Sequence, residues 1–148
     1  MNFNNYKDFP RVGRIIGLDW GARRCGVAIS DETRDFVFVR PQINVKNSDD
    51  LINAVIHMCR DEGVVGIVIG LPLYSDGTDS ETTVLVQNFA TSLSEKINLP
   101  IIFIEENLTS HSAQEEMGRA NINKIKSELD SLSARIILEN AISLLKRN

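Results

Sequence analysis

"IIGLDWGARRCGVAISDE", residues 15–32, is the stretch on which the reading of the chain turns. Two short runs, "RIIGLDW" and "CGVAIS", flank a turn-like "GARR". Apolar runs of this length, separated by a short gap with glycine, read as a hairpin of two strands. Asp19 breaks the pattern. It stands inside the first run, with Gly17 and Gly21 to either side, and a carboxylate there is costly unless something meets it. A strand-end aspartate can accept backbone hydrogen bonds in the next turn. An acid held where strands open can instead ligate a cation.

Working outward, "DETRD" leads to a third strand-like run, "FVFVRPQINV", and the three suggest an antiparallel meander. "SDDLINAVIHMCRDEG" then reads as a helix capped by Ser48 and ended by Gly63, with Leu51, Ile52, Val55, Ile56 and Cys59 on one face. "VVGIVIGLP" is a continuous apolar run, the mark of a strand buried on both faces. Thr78 and Glu81 have capping-box spacing before a helix carrying Val84, Leu85, Phe89, Leu93 and Ile97. Another strand, "IIFIEEN", follows Pro100. The rest reads as a short helix at 110–117, a polar stretch at 118–126, and a last helix from Glu128 to Lys146. Leu129, Leu132, Ile136, Ile137, Leu144 and Leu145 are its expected buried side. The order β-β-β-α-β-α-β-α-α predicts an α/β fold: a mixed five-stranded sheet, three antiparallel strands then parallel ones, with helices on both faces. Chemistry in such a sheet is expected near the carboxyl ends of the central strands.

The totals set bounds. At 148 residues, 43% hydrophobic and 24% charged, residues 1–148 read as a single globular domain, with 1–10 a flexible polar tail. A net charge of −4 gives no help to a nucleic-acid binder, whose phosphate contacts call for a basic surface. Yet Arg11, Arg14, Arg23 and Arg24 crowd the stretch around Asp19. Cys25 and Cys59 have no metal-type spacing and read as reduced thiols. With no membrane-length apolar run and no signal-like start, the expected address is the cytoplasm, with no membrane partner. His57 and His111 read as structural. No phosphate loop or dinucleotide fingerprint is present in the sequence.

Three further carboxylates matter. Glu105 and Glu106 close "IIFIEEN" and point to opposite faces of their strand, so one of them can share a face with Asp19. Periodicity alone leaves the choice open, because both faces are apolar. Asp130 follows Ser127 by three residues, the spacing of a helix cap with an acid in the first turn. Each acid has a structural explanation of its own. Together, three acids from two strands and a helix make an oxygen-rich pocket suited to magnesium or manganese. Two such ions about 3.5–4 Å apart can activate water and stabilise a leaving oxygen in phosphodiester hydrolysis.

The same residues resemble a known family. "IIGLDWGARRCGVAISD" is similar to the first motif of the YqgF (RuvX) family of small nucleases with a ribonuclease H-like fold. "IVIGLPLYSDGT", "IEENLTSHSAQ" and "ELDSLSARIILENAI" resemble its later motifs, in family order, from residue 14 to about 142. The resemblance implies that Asp19, Glu106 and Asp130 are the catalytic acids and metal ligands, which chooses Glu106 over Glu105. It implies Mg2+ or Mn2+ as cofactor, two ions in all. Three positions depart from the pattern: Asn107 replaces an arginine, Trp20 is bulkier than usual, and Tyr74 replaces a common asparagine. Arg23 or Arg24 is expected to supply the charge that Asn107 lacks. Thr109, Ser110, Lys124 and Lys126 are further candidates for contact with nucleic acid.

The implied function is a metal-dependent nuclease on structured nucleic acid. Precursor ribosomal RNA, cut at the 5′ end of pre-16S rRNA, is the preferred substrate, with ribosomal particles as a further partner. The alternatives are a Holliday junction resolvase and a non-catalytic module binding RNA or the ribosome. The first motif also resembles the phosphate hairpin of the actin, Hsp70 and sugar-kinase superfamily. Those proteins enclose a nucleotide between two such domains, and this chain supplies one.

Overall fold

The computed structural model describes residues 3–107 and 122–147, with the side chains of residues 107 and 122–131 outside the description. Strands β1 (Ile15–Asp19), β2 (Arg24–Ser30) and β3 (Val37–Asn44) precede helix α1 (Ser48–Glu62). Strand β4 (Gly66–Leu73), helix α2 (Glu81–Lys96), strand β5 (Ile101–Asn107) and helix α3 (Ile122–Arg147) follow. The sheet order is β3-β2-β1-β4-β5. β1 pairs antiparallel with β2 and β2 with β3, whereas β4 runs parallel to both β1 and β5. This is the mixed five-stranded α/β sheet that the residue pattern predicts.

Alternation divides the core in two. Ile16, Leu18, Val27, Ile29, Ile67, Ile69 and Phe103 pack with α1 and α2 on one face. Ile15, Ala28, Val68, Ile102 and Ile104 pack with α3 on the other. Each fully buried isoleucine contributes roughly 1.5–3 kcal/mol by leaving water, so these two apolar layers dominate the packing. Helices thus cover both faces, as expected. Among the described residues, no helix is long and apolar enough to cross a membrane.

The helix boundaries correct several expectations. Asn47, one residue before Ser48, caps α1: its side-chain oxygen accepts from the Asp50 N–H at 2.9 Å. Thr78 does not open α2, because its hydroxyl is held by Asp76 at 2.6 Å. Ser80 and Thr83 form the reciprocal cap instead, and the Thr83 hydroxyl also donates to the Pro72 carbonyl. Burying Thr83 sets the phase of the helix, so Val86, Phe89, Ala90 and Leu93 face inward while Val84 and Leu85 are exposed. α3 starts at Ile122, not Glu128, so Ser127 is no cap and Asp130 belongs to the third turn. Its buried side is Ala134, Ile137, Leu138, Ala141 and Ile142, with Leu132 and Ile136 exposed. The Leu129 side chain, the expected helix at 110–117 and residues 118–121 fall outside the described structure.

Residues 3–10 are not a free tail. The Phe3 carbonyl accepts from the Phe103 N–H at 2.9 Å, and the two rings lie 4.8 Å apart. The Tyr6 hydroxyl donates to the Phe103 carbonyl at 2.8 Å. Phe9 is 2% exposed and fills the space above Gly66, where any Cβ would strike its ring. Arg34 holds the segment from above: its guanidinium lies 6.0 Å from the Phe9 ring centre, and its Nε donates to the Gly13 carbonyl at 2.8 Å. Sequence polarity at 1–10 conceals three aromatic anchors. Replacing Phe9 by alanine should therefore cost about 3 kcal/mol in urea unfolding, the usual loss for a buried ring. A free tail would give a change of under about 0.5 kcal/mol.

Candidate functional site

Asp19 is the last residue of β1 and is partly buried. It lies on the face that carries Ile15 and Gly17, because strand side chains alternate. Glu106 lies near the end of β5, on the face that carries Ile102 and Ile104. Both faces are the one covered by α3. Glu105 turns the other way and is exposed. There its charge adds to burial in raising the pKa of the Tyr6 hydroxyl.

Strand β4 lies between the two acids, and Gly70 is what lets them face each other. Its neighbour in β5 is Ile104, and the next same-face pair is Pro72 with Glu106. A Cβ on Gly70 would stand 3.0 Å from Glu106 Oε2 and 2.5 Å from Ile137 Cδ1. The Glu106 carboxylate therefore leans across bare backbone toward β1. On β1, Gly17 plays a second part: a Cβ there would stand 2.9 Å from Leu138 Cβ and 3.1 Å from the Ala134 carbonyl oxygen. α3 thus lies directly on β1, two residues before Asp19. Asp130 is carried by α3 one turn before Ala134; its side chain is outside the description.

Burial, and behind it the negative charge of Asp19, push the Glu106 carboxyl from the ordinary 4.5 up to about 7. Asp19 also adds to burial in raising the pKa of the Cys25 thiol. Two carboxylates close together, one of them largely desolvated, repel each other unless a proton or a cation intervenes. Hard oxygen donors with excess negative charge suit a small divalent cation.

The cationic candidates divide. Arg23 lies in the exposed β1–β2 turn and Arg24 opens β2, both at the Asp19 end of the sheet. Arg24 pairs with Asn44, and the Val45 N–H donates to the Arg23 carbonyl at 2.8 Å. These contacts bring exposed Lys46 to the same edge, a residue that sequence reasoning passed over. Lys124 and Lys126 are in the first turns of α3, with side chains outside the description, and Thr109 and Ser110 are outside the described residues. His57 pairs with Asp61 at 3.1 Å on the exposed side of α1, in keeping with a structural role. Gly70 was also missed; a glycine inside an otherwise β-branched run is the signal of close approach that would have found it.

Glu106 binds its proton more tightly when folded, so the folded state holds more protons between pH 4.5 and about 7. Stability must fall as pH rises through that window, with the full cost present above it. Glu106→Gln removes the titration. In EDTA, its stability advantage over the unsubstituted protein should grow by about 2–3 kcal/mol between pH 4.5 and pH 7. Parallel urea-unfolding curves across pH would show whether it does; a constant difference would contradict the raised pKa.

Comparison with known proteins places this geometry in a family. The RuvX family model, described as Holliday junction resolvase, matches residues 13–144. A protein of Maridesulfovibrio salexigens named "Putative pre-16S rRNA nuclease" is 39% identical over 85% of this chain and 95% of its own length. One of the same name from Nitratidesulfovibrio vulgaris is 32% identical over 88% of this chain and 94% of its own. A third, from Ligilactobacillus salivarius, is 36% identical over 87% and 91%. The match takes in β1 through most of α3, including Asp19, Gly70, Glu106 and Asp130, and the chain belongs to the RuvX family.

Proposed function

We propose that this chain is a divalent-metal-dependent nuclease that hydrolyses phosphodiester bonds of structured nucleic acid, acting as one ribonuclease H-like domain. The observation that carries the reading is the pair of carboxylates, Asp19 and Glu106, which lie on one face of β1 and β5 to either side of Gly70, near enough for the charge of Asp19 to act on Glu106. Asp19, Glu106 and Asp130 are the residues that would hold magnesium or manganese, two ions in the full assembly. When bound there, the metal supplies the positive charge that phosphodiester hydrolysis needs at the attacking and leaving oxygens.

The other roles fall to the chain itself. Arg23, Arg24 and Lys46 form an exposed basic edge beside Asp19 that can hold backbone phosphates. It can do so despite a net charge of −4, because local charge governs contact at this range. Thr109, Ser110, Lys124 and Lys126 complete the proposed contacts on the basis of sequence. The names of the relatives favour a precursor of 16S rRNA as substrate, and ribosomal particles as the setting. The family description keeps a four-way DNA junction as the second reading. Two buried free cysteines accord with the proposed cytoplasmic address.

A cleavage assay tests the proposal. The unsubstituted protein and Asp19→Asn are compared on a pre-16S rRNA 5′ leader and on a four-way DNA junction, with magnesium, manganese or EDTA. Metal-dependent cutting should fall at least about a hundredfold in the variant, as expected when a metal ligand is lost. Cutting that survives EDTA, or survives the substitution, would overturn the three-acid assignment. Binding without cutting would move the reading to a non-catalytic RNA-binding module.

A further inference from the structure

The loop after β4 carries an aromatic side chain that belongs to neither core layer among the described residues. Tyr74 is 51% exposed. Among the described residues its ring meets neither another ring nor a cation. Large aromatics dominate burial energetics in most cores, so one held out on the surface at a site edge calls for an explanation.

Its setting is rigid. The Tyr74 N–H donates to the Thr78 carbonyl at 3.0 Å, and the Gly77 N–H donates back to the Tyr74 carbonyl at 2.8 Å. Asp76 accepts from the Thr78 N–H at 3.0 Å, and Leu73 bridges Asp79 beyond the turn. Gly77 takes φ +83°, a conformation open to glycine, which closes the loop. At the base of the turn, the Thr83 hydroxyl ties α2 to the Pro72 carbonyl. The backbone that carries the ring is therefore preformed, and what remains to be ordered when a flat ligand settles on it is the side chain's own rotamers.

Its position is specific as well. Pro72 is the direct neighbour of Glu106, and Tyr74 follows two residues later along β4's direction. β4 itself lies between β1, which ends in Asp19, and β5, which carries Glu106. Along this end of the sheet come Lys46 after β3, Arg24 on β2, Asp19, the Tyr74 loop, and Glu106. A strand laid across it meets cations first, then the carboxylates, with an aromatic face alongside. Positive charge along a backbone track, with aromatic faces for the bases, is how proteins hold unpaired nucleic acid. A base locked in a duplex has no free face to offer.

Resting on the nuclease reading above, we propose that Tyr74 stacks on an unpaired nucleobase next to the bond to be cut, and so makes a single-stranded segment the preferred substrate. Stacking is tolerant of base identity, so the selection is for unpaired structure and not for sequence.

The test separates binding from cutting. Asp19→Asn, alone and with Tyr74→Ala or Tyr74→Phe added, is titrated with a short single-stranded RNA, the DNA of the same sequence, and the corresponding duplexes. Fluorescence anisotropy reads the binding, with calcium in place of magnesium. Tyr74→Ala should weaken single-strand binding about tenfold or more and duplex binding less than about twofold; Tyr74→Phe, which keeps the ring, should restore the loss. RNA and DNA losing affinity alike would fit base stacking; a loss confined to RNA would instead put the tyrosine hydroxyl against the ribose and overturn the proposal. So would equal losses for single strand and duplex, or no loss. Cutting of the RNA leader by the protein with intact Asp19, unchanged by Tyr74→Ala, would sink this inference and leave the nuclease reading standing. No binding of any strand would overturn both.

Discussion

The site depends on side chains that are missing. Gly17 and Gly70 leave bare backbone on adjacent strands, and α3 and Glu106 occupy the space that two Cβ atoms would take. The contacts are too close to absorb a methyl group cheaply: at Gly17 the obstacle includes the Ala134 carbonyl, part of the helix backbone. Interiors packed to this density transmit a misfit instead of absorbing it. The two glycines therefore set how near the helix and the second carboxylate come to Asp19.

What that approach creates is an electrostatic cost. The apolar layers of both faces of the sheet supply the stability against which two neighbouring carboxylates, one largely desolvated, can be held together. Strain of this kind belongs at functional sites, where local rules are broken and the loss is offset elsewhere. A cation of the right size turns the repulsion into attraction, and binding then adds to folding stability. On the proposed reading, the same argument explains why net charge misleads for this chain. Asp19 and Glu106 share one face of the sheet, and Arg23, Arg24 and Lys46 lie together at one edge.

The architecture is legible because β4, an interior strand, reads as a continuous apolar run, and because short turns join β1, β2 and β3. The facing of Asp19 and Glu106 followed from alternation once the resemblance had chosen between Glu105 and Glu106. Helix phase was less legible. Size is a poor guide to what α3 turns inward: it buries Ala134 and Ala141 and leaves Leu132 and Ile136 exposed, and at Gly17 it is the Ala134 carbonyl and the Leu138 Cβ that close on β1. In α2 a hidden threonine, Thr83, decided the phase, and hydrogen bonding outweighed the hydrophobicity of Val84 and Leu85. The N-terminal segment misled for a similar reason: three aromatic residues anchor it among polar neighbours, without a period to betray them. Gly70 and Lys46 act through neighbours distant in sequence, and a single sequence carries little trace of that.

The most direct measurement is the titration of the Glu106 carboxyl itself by carbon-13 NMR, with and without magnesium. The account predicts a midpoint near 7 in metal-free buffer, lower in Asp19→Asn, and driven well below its starting value when magnesium binds. A midpoint near the ordinary 4.5, unmoved by Asp19→Asn and by magnesium, would show that the two carboxylates do not face each other, and the candidate site would fail with them.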